Sequence, residues 1–432
     1  MTASKSASVI PTEGNSPPRR SSFSALQHRD FRLLWTGQIV SVTGSQMQLV
    51  AINWHVYLLT KSPLALGTVG LVRVIPIIIF SLAGGVIADA VDRKRQILVA
   101  QIVMLLSAAA LALMTAAGLQ SVWPIYLMTA ISSAAVSFDN PARQALLPTL
   151  VPAEDFPNAV SLGLIVFQIA TIAGPTLAGL LLNAYSPALI YAFNALSFLA
   201  VIIAVLLMRA QGRAARDEDA MSRPVSFRAL REGLAFVWRT PIIVQTMTLD
   251  FIATFFASAT ALLPIFAAEI LHVGARGLGL LAAAPAVGAI IAGLSIARRG
   301  TLRRQGLTVL TSIAVYGAAT VAFGLSRIFW FSLLMLAITG AADTVSTVLR
   351  QTLRQLVTPN HLRGRMTSIT MMFFMGGPQL GELEAGAVAA LIGAPRSVIT
   401  GGIGCLIAVA LASMFARTLR EYESAPHDTF LS

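Results

Sequence analysis

The sequence predicts an all-α membrane protein: twelve transmembrane helices in two six-helix repeats, with both termini cytoplasmic. Three observations carry that prediction. The 432 residues are 56% hydrophobic and 12% charged, against about 45–50% apolar and about 25% charged in a soluble chain. Twelve apolar stretches are long enough to cross a hydrocarbon core about 30 Å thick, which takes about 20 residues of helix. The second six stretches also echo motifs of the first six.

The elements follow in order. Residues 1–27 are rich in Ser, Pro and Thr and hold no apolar core, so they read as a disordered cytoplasmic tail, not a secretory signal. An N-terminal bundle, residues 28–208, has its apolar stretches at 33–59, 64–88, 96–118, 122–142, 158–183 and 187–208. Residues 209–241 form a polar central linker, opening with "RAQGRAARDEDAMSRP". Its end, "VSFRALREGLAFVWR", sets Phe227, Leu230, Leu234 and Val237 on one helical face and Arg228, Arg231 and Arg239 elsewhere. That pattern fits a helix lying in the membrane surface. A C-terminal bundle, 242–418, has stretches at 242–268, 276–297, 306–326, 328–349, 366–391 and 395–417, and 419–432 form a second tail.

Charge fixes the orientation. In this threading one set of loops carries only Lys61, Arg276, Arg327 and Arg396. The opposite set carries nearly all other basic residues, among them Arg93, Lys94, Arg95, Arg298, Arg299, Arg303, Arg304, Arg350, Arg354, Arg363 and Arg365. Basic loops stay in the cytoplasm, so the protein sits in the cell membrane with both ends inside. The net charge of +12 then reads as a basic cytoplasmic face, not as a nucleic-acid surface. A single cysteine, Cys405, excludes a disulfide framework and a thiolate metal site. Five histidines without an H-x-x-x-H pair argue against a metal enzyme.

The repeat is visible in "RQALLPTLVP" from Arg143 and "RQTLRQLVTP" from Arg350, an offset of 207 that also aligns Pro152 with Pro359, Ser161 with Ser368 and Gly179 with Gly386. At an offset of 208, "GGVIADAVDRKRQ" (84–96) falls on "LSIARRGTLRRQ", both short basic loops between the second and third helices of a half. Parallel six-helix repeats are one architecture of secondary transporters, with the substrate near the midplane where the repeats meet. No G-x-x-x-x-G-K-[ST] is present to bind ATP.

These features resemble the major facilitator superfamily. That family's loop signature is Gly, three residues, Asp, a basic residue, any residue, Gly, then a basic cluster. Here it reads Gly85, Asp89, Ala90, Val91, Asp92, Arg93, Lys94, Arg95, with Ala90 in the first basic position and Asp92 in the second glycine position. More narrowly, "RDFRLLWTGQIVSVTGSQM", "FDNPARQALLPTLVP" and "GELEAG" resemble the branch of enterobactin-exporter-like and macrolide-efflux-like proteins. The resemblance implies proton-driven antiport: efflux of a small amphipathic molecule such as a siderophore, a macrolide or another drug in multidrug resistance. It implies no cofactor beyond the proton gradient, a monomer, and the bilayer and substrate as partners. A nutrient importer or facilitator of the same fold is the alternative, and a membrane sensor or enzyme a weaker one.

Ionisable groups inside spans are expensive and mark function. They are Arg73, Asp139, Asp250, Asp343, Glu382 and Glu384. The resemblance puts helices 1, 4, 7 and 10 around the cavity, which makes Asp250, Asp343 and Asp139 the proton-coupling candidates. Asp343 reads as nearer the cytoplasmic end of helix 10. Asp139, before Pro141, reads alternatively as a cap on free backbone N–H groups. The resemblance makes helices 2 and 11 neighbours across the halves, and Arg73 and Glu382 fall at matching depths on them, so a pair is expected there, with Glu384 as second choice. An Arg73 that attracts an anionic substrate remains the alternative. By the resemblance, Gly85, Asp89, Arg93, Lys94 and Arg95 form a cytoplasmic gate, Asp89 meeting the N-terminus of helix 11. Gly174, Pro175 and Gly179 in "AGPTLAG" resemble an exporter signature of helix 5, with Ala170 and Ala178 where glycine is usual; ordinary small-residue packing explains them equally. Gln38, Gln46 and Asn53 are candidates to line the cavity, and His55 reads as a satisfied histidine.

Overall fold

The computed structural model describes residues 23–118, 120–210, 235–258, 260–299, 304–359 and 363–415, without the side chains of 81–86, 88–90, 299, 363–375 and 415. Residues 1–22, the second tail, most of the linker, and the side chains of Gly85, Asp89, Arg363 and Arg365 lie outside the described residues; residues 23–27 of the expected disordered tail are instead structured, with Ala25 buried and its N–H donated to Asn158 Oδ1. Of the expected surface helix, residues 235–239 are described, and they are helical.

Among the described residues there is no strand. A short 3-10 turn, Ser24–Gln27, leads into α1 (Arg29–Thr60), α2 (Pro63–Ala90), α3 (Arg93–Ala116), α4 (Trp123–Leu146), α5 (Phe156–Ala184) and α6 (Pro187–Leu207). After the linker come α7 (Pro241–Phe256), α8 (Gly274–Arg299), α9 (Gln305–Leu325), α10 (Phe329–Val357), α11 (Arg363–Ile392) and α12 (Ala394–Phe415). Proline opens the first turn of α2, α4, α5, α6 and α7, where its missing N–H costs no helical bond. Ser62 and Ser186 cap the starts of α2 and α6 with their hydroxyls.

The seventh stretch is not one continuous helix. It breaks after Phe256 and resumes as Thr260–Leu262, Leu263–Ile265 and a π turn, Phe266–Ile270. Pro264 is the physical reason, since it lacks an N–H and its ring crowds the preceding turn. Nine helical stretches of the described residues are long and apolar enough to cross a membrane, counting Pro241–Ile270 as one. α1, α4 and α11 are not among them; glutamines, an asparagine and a histidine interrupt α1, Asp139, Asn140 and Arg143 interrupt α4, and the side chains of α11 are described only from Gly376.

In the first half α1 packs on α5 and α6, α2 and α3 on α4, and α3 on α6. In the second, α10 packs on α8 and α9, α12 on α9, and α11 on α7. Between the halves α2 lies along α11 and α5 along α8. The buried apolar side chains divide unevenly. Toward the basic loops each half has its own core: Leu34, Ile97, Leu146 and Val201 in the first, Ile243, Val309, Leu353 and Cys405 in the second. Toward the opposite loops one core spans both halves, joining Met47, Leu66, Ala178 and Tyr191 to Phe266, Leu278, Phe323 and Ala385.

Candidate functional site

The charged centre of the molecule lies in the second half, on α7 and α10. Asp250 stands nine residues into α7, about 14 Å along the axis at 1.5 Å per residue. Its Oδ1 meets Arg350 Nη2 of α10 at 2.7 Å, with both side chains less than a tenth exposed. Arg350 Nη2 also donates to Thr347 Oγ1 at 3.1 Å, and the Thr347 hydroxyl and the Arg350 guanidinium both act on the Asp343 carboxyl. Residues 343, 347 and 350 share one face of α10, at i, i+4 and i+7. The result is a chain from Asp343 through Thr347 and Arg350 to Asp250.

The two acids differ in access: Asp250 is sealed, whereas Asp343 is partly exposed. Arg354, also buried, donates its Nε to the Arg350 carbonyl at 3.1 Å and interacts electrostatically with Asp250. Two carboxyls face two guanidiniums, so one added proton leaves the cluster with an unbalanced positive charge. From α9, Tyr316 feels both acids and donates its hydroxyl to the Ala257 carbonyl at 3.2 Å.

Two expectations need correction here. Arg350 and Arg354 are not loop cations; they are 1% and 5% exposed. α10 runs on to Val357, about two turns past the expected end, and carries them inside. For the same reason Asp343 stands at the middle of α10, fourteen residues from each end, not toward the cytoplasmic one. The repeat motif had put Arg143 and Arg350 in register. Arg143 of α4 pairs with Asp139 one turn before it, and Gln101 Nε2 of α3 donates to Asp139 Oδ1 at 3.1 Å. Asp139 is therefore held by side chains and does not cap the backbone after Pro141. The three acids do not converge: Asp250 and Asp343 share a cluster, and Asp139 sits in the other half.

The seam between the halves is tightest away from the basic loops. A Cβ on Gly67 would stand 2.6 Å from the Glu382 carbonyl, and one on Gly386 would stand 2.9 Å from Gly67 Cα. α5 and α8 meet likewise, a Cβ on Gly179 falling 2.8 Å from Gly279 Cα. Only glycine permits such backbone approach. Glu382 accepts from Thr260 Oγ1 at 3.2 Å and interacts electrostatically with Arg73. Arg73 and Glu382 thus lie on facing sides of this seam, and Glu384 is two residues further along α11. Tyr57 of α1 donates its hydroxyl to Glu269 Oε1 in the π turn at 2.9 Å, a direct bond between the halves.

Of the helix 1 polar residues, Gln38, Gln46 and Asn53 are partly exposed. A Cβ on Gly174 would meet Gln46 Cβ at 2.5 Å, so the α5 motif packs on α1 at Gln46 and, through Gly179, on α8. His55 is buried against the Tyr191 hydroxyl at 3.2 Å.

This fold has solved counterparts. A bacterial homologue of the human lysosomal transporter Spinster, inward-facing and unoccupied, matches with a TM-score of 0.72 at 14% identity, covering 96% of this chain and 100% of that one. The nucleoside transporter NupG matches with a TM-score of 0.63 at 14% identity, covering 90% and 98%. In sequence, the enterobactin exporter EntS of Citrobacter koseri is 24% identical over 92% of this chain and 94% of its own. The EntS of Escherichia coli O157:H7 is equally similar over the same shares. The model of the transmembrane secretion effector family, within the major facilitator superfamily, matches residues 20–431. The chain belongs to that family.

As a major facilitator transporter it is a multi-pass protein of the cell membrane, and its loop signature can be read physically. Asp92, in the glycine position of the superfamily signature, is the N-cap of α3: its Oδ1 accepts from the backbone N–H of Lys94 at 2.9 Å and of Arg95 at 3.2 Å. Arg93 Nη1 donates to the Ala145 carbonyl and Lys94 Nζ to the Met208 carbonyl, both at 2.8 Å. They fasten the start of α3 to the ends of α4 and α6, where helix dipoles favour cations. The sequence signal for Asp92 was available, an aspartate directly before a helix. Tyr57 and Glu269 gave none, because only the break in α7 brings them together.

Proposed function

We propose that this transporter is a proton-coupled exporter of a small amphipathic molecule. All twelve helices cross the membrane, both termini and the basic loops face the cytoplasm, and the halves rock about a midplane site. The conformation is inward-facing, a reading supported by the single apolar core that joins the halves only on the side away from the basic loops.

The observation that carries the coupling is the chain Asp343–Thr347–Arg350–Asp250. Asp343, partly exposed, takes the proton. Neutralised, it releases its hold on Thr347, and Arg350 is left balanced by Asp250 alone, so α7 and α10 adjust to each other. Bilayer-buried carboxyls that respond this way are the common device of proton relays. Similarity to enterobactin exporters supports a siderophore or a molecule of like size and polarity as cargo, and outward transport as the direction.

The test uses everted membrane vesicles with an imposed pH gradient, acid inside, and labelled enterobactin outside. Gradient-dependent accumulation is expected, with Asp343→Asn abolishing the dependence while the protein still inserts. Accumulation indifferent to the gradient overturns the coupling. Entry only in right-side-out vesicles reverses the direction and makes the protein an importer.

A further inference from the structure

A groove of about 680 Å³ lies between α2 and α3, with α4 as its floor. Pro76 and Phe80 of α2, Val99 and Val103 of α3, and Ala130 and Ala134 of α4 line it. α2 and α3 both lean on α4 and scarcely on each other, and the alanines keep the floor deep. Beside the mouth, Ile79 and Val99 are 62% and 63% exposed. Apolar side chains at such exposure on a membrane-spanning bundle face hydrocarbon, so the groove opens sideways into the bilayer.

Its charged end is equally defined. Arg93 and Lys94 are committed to helix-end carbonyls. Arg95 is the basic residue that lines the groove, exposed at its mouth. Arg95 to Val103 spans eight residues of α3, about 12 Å at 1.5 Å per residue. That is close to one leaflet, half of a hydrocarbon core about 30 Å thick. The other polar lining residue, Gln96, donates its Nε2 to the Phe138 carbonyl. A transported polar molecule requires several convergent hydrogen-bonding groups, which this groove lacks among the described residues, and the proposed coupling cluster is in the other half.

We propose that the groove holds an acyl chain of an anionic diacyl phospholipid from the cytoplasmic leaflet, with the lipid phosphate on Arg95. The leaflet follows from the topology under Proposed function, but occupancy does not depend on transport. Basic sites between helix ends on the cytoplasmic side favour anionic headgroups. A lipid wedged there fixes the angle between α2 and α3, and α2 also forms the seam with α11.

Native mass spectrometry of the detergent-purified protein with equimolar phosphatidylglycerol and phosphatidylcholine tests this. Retention should favour phosphatidylglycerol by about fivefold, the factor one basic residue near an anionic surface supplies. Arg95→Gln should equalise the two lipids, and Ala134→Trp, which fills the floor, should lose both. Equal retention by the unmodified protein, or undiminished retention by Ala134→Trp, overturns the proposal. Because Ala134→Trp can misfold, a second measurement uses the unmodified protein: phosphatidylglycerol with an acyl diazirine, photolysed and mapped by proteolysis. Label concentrated on 76–80, 99–103 and 130–138 supports the groove. Label spread evenly over the lipid-facing helices overturns it.

Discussion

A guanidinium at bilayer depth is tolerated only with partners, and Arg350 has Asp250 at 2.7 Å and Thr347 at 3.1 Å. Removing one member of a buried pair costs about 3–5 kcal/mol, because the other charge is left uncompensated. Asp250→Asn should therefore lower the melting temperature of the purified protein by several degrees, read by tryptophan fluorescence in detergent. The double variant Asp250→Leu/Arg350→Met should recover most of that stability and no transport. If it transports normally, the pair is structural only. Asp92 is the contrasting case, a half-buried cap whose loss costs about 1 kcal/mol when replaced by Ala and a few tenths when replaced by Gly. Asp92→Gly, which restores the residue of the superfamily signature, should thus be milder than Asp92→Ala in the same melting assay. A larger loss for glycine would mean that Asp92 holds something besides α3.

At the scale of the helix, small residues decide how closely elements approach. At Gly179 and Gly279 the nearest atoms to an added Cβ are backbone, which cannot swing aside. Gly179→Val must therefore push α5 from α8. If each half moves as a rigid body, that wedge also loosens the α2–α11 seam. Ala385→Cys, 5% exposed in the parent, reports it, once the buried Cys405 is replaced by Ser. An impermeant maleimide added from outside should label Ala385→Cys in the Gly179→Val background and not in the parent. Labelling unchanged by the wedge would mean that the two seams move independently. Hydropathy made the helices legible in the sequence because each must bury its backbone polarity in a run of apolar residues. It did not reveal how far α10 extends. The amphipathic stretch from Arg350 to Val357 reads as a loop until its arginines are known to turn inward, and α7 reads as unbroken until Pro264 is weighed. Asp250 and Asp343 were legible as isolated charges in apolar runs. Thr347 was not, since a threonine in such a run is ordinary until it stands between two charges.

Under the proposed alternating access, the two halves form a two-state device whose closed outer side is held, among the described residues, by a shared apolar core, two glycine seams and the bond between Tyr57 and Glu269. The apolar parts close by area and the glycines by shape, so neither is easily removed without damage to a helix. The bond from the Tyr57 hydroxyl to Glu269 is different. It joins α1 of one half to the π turn of the other, so in the proposed cycle it would break when the outer side opens. Tyr57→Phe deletes the hydroxyl and keeps the ring that packs on Trp54. Its loss falls on the closed state alone. A net hydrogen bond of about 1 kcal/mol shifts a two-state population by about fivefold. Spin labels on Gln120→Cys and Arg327→Cys, exposed in opposite halves in loops away from the basic ones, read that shift as a longer inter-label distance by pulsed electron resonance. The long-distance population should grow about fivefold relative to the labelled parent. Transport should fall modestly, because the cycle must pass through both states and one is now under-populated. An unchanged distance distribution would leave the outer side closed by packing alone, with Glu269 a surface charge that happens to meet a tyrosine.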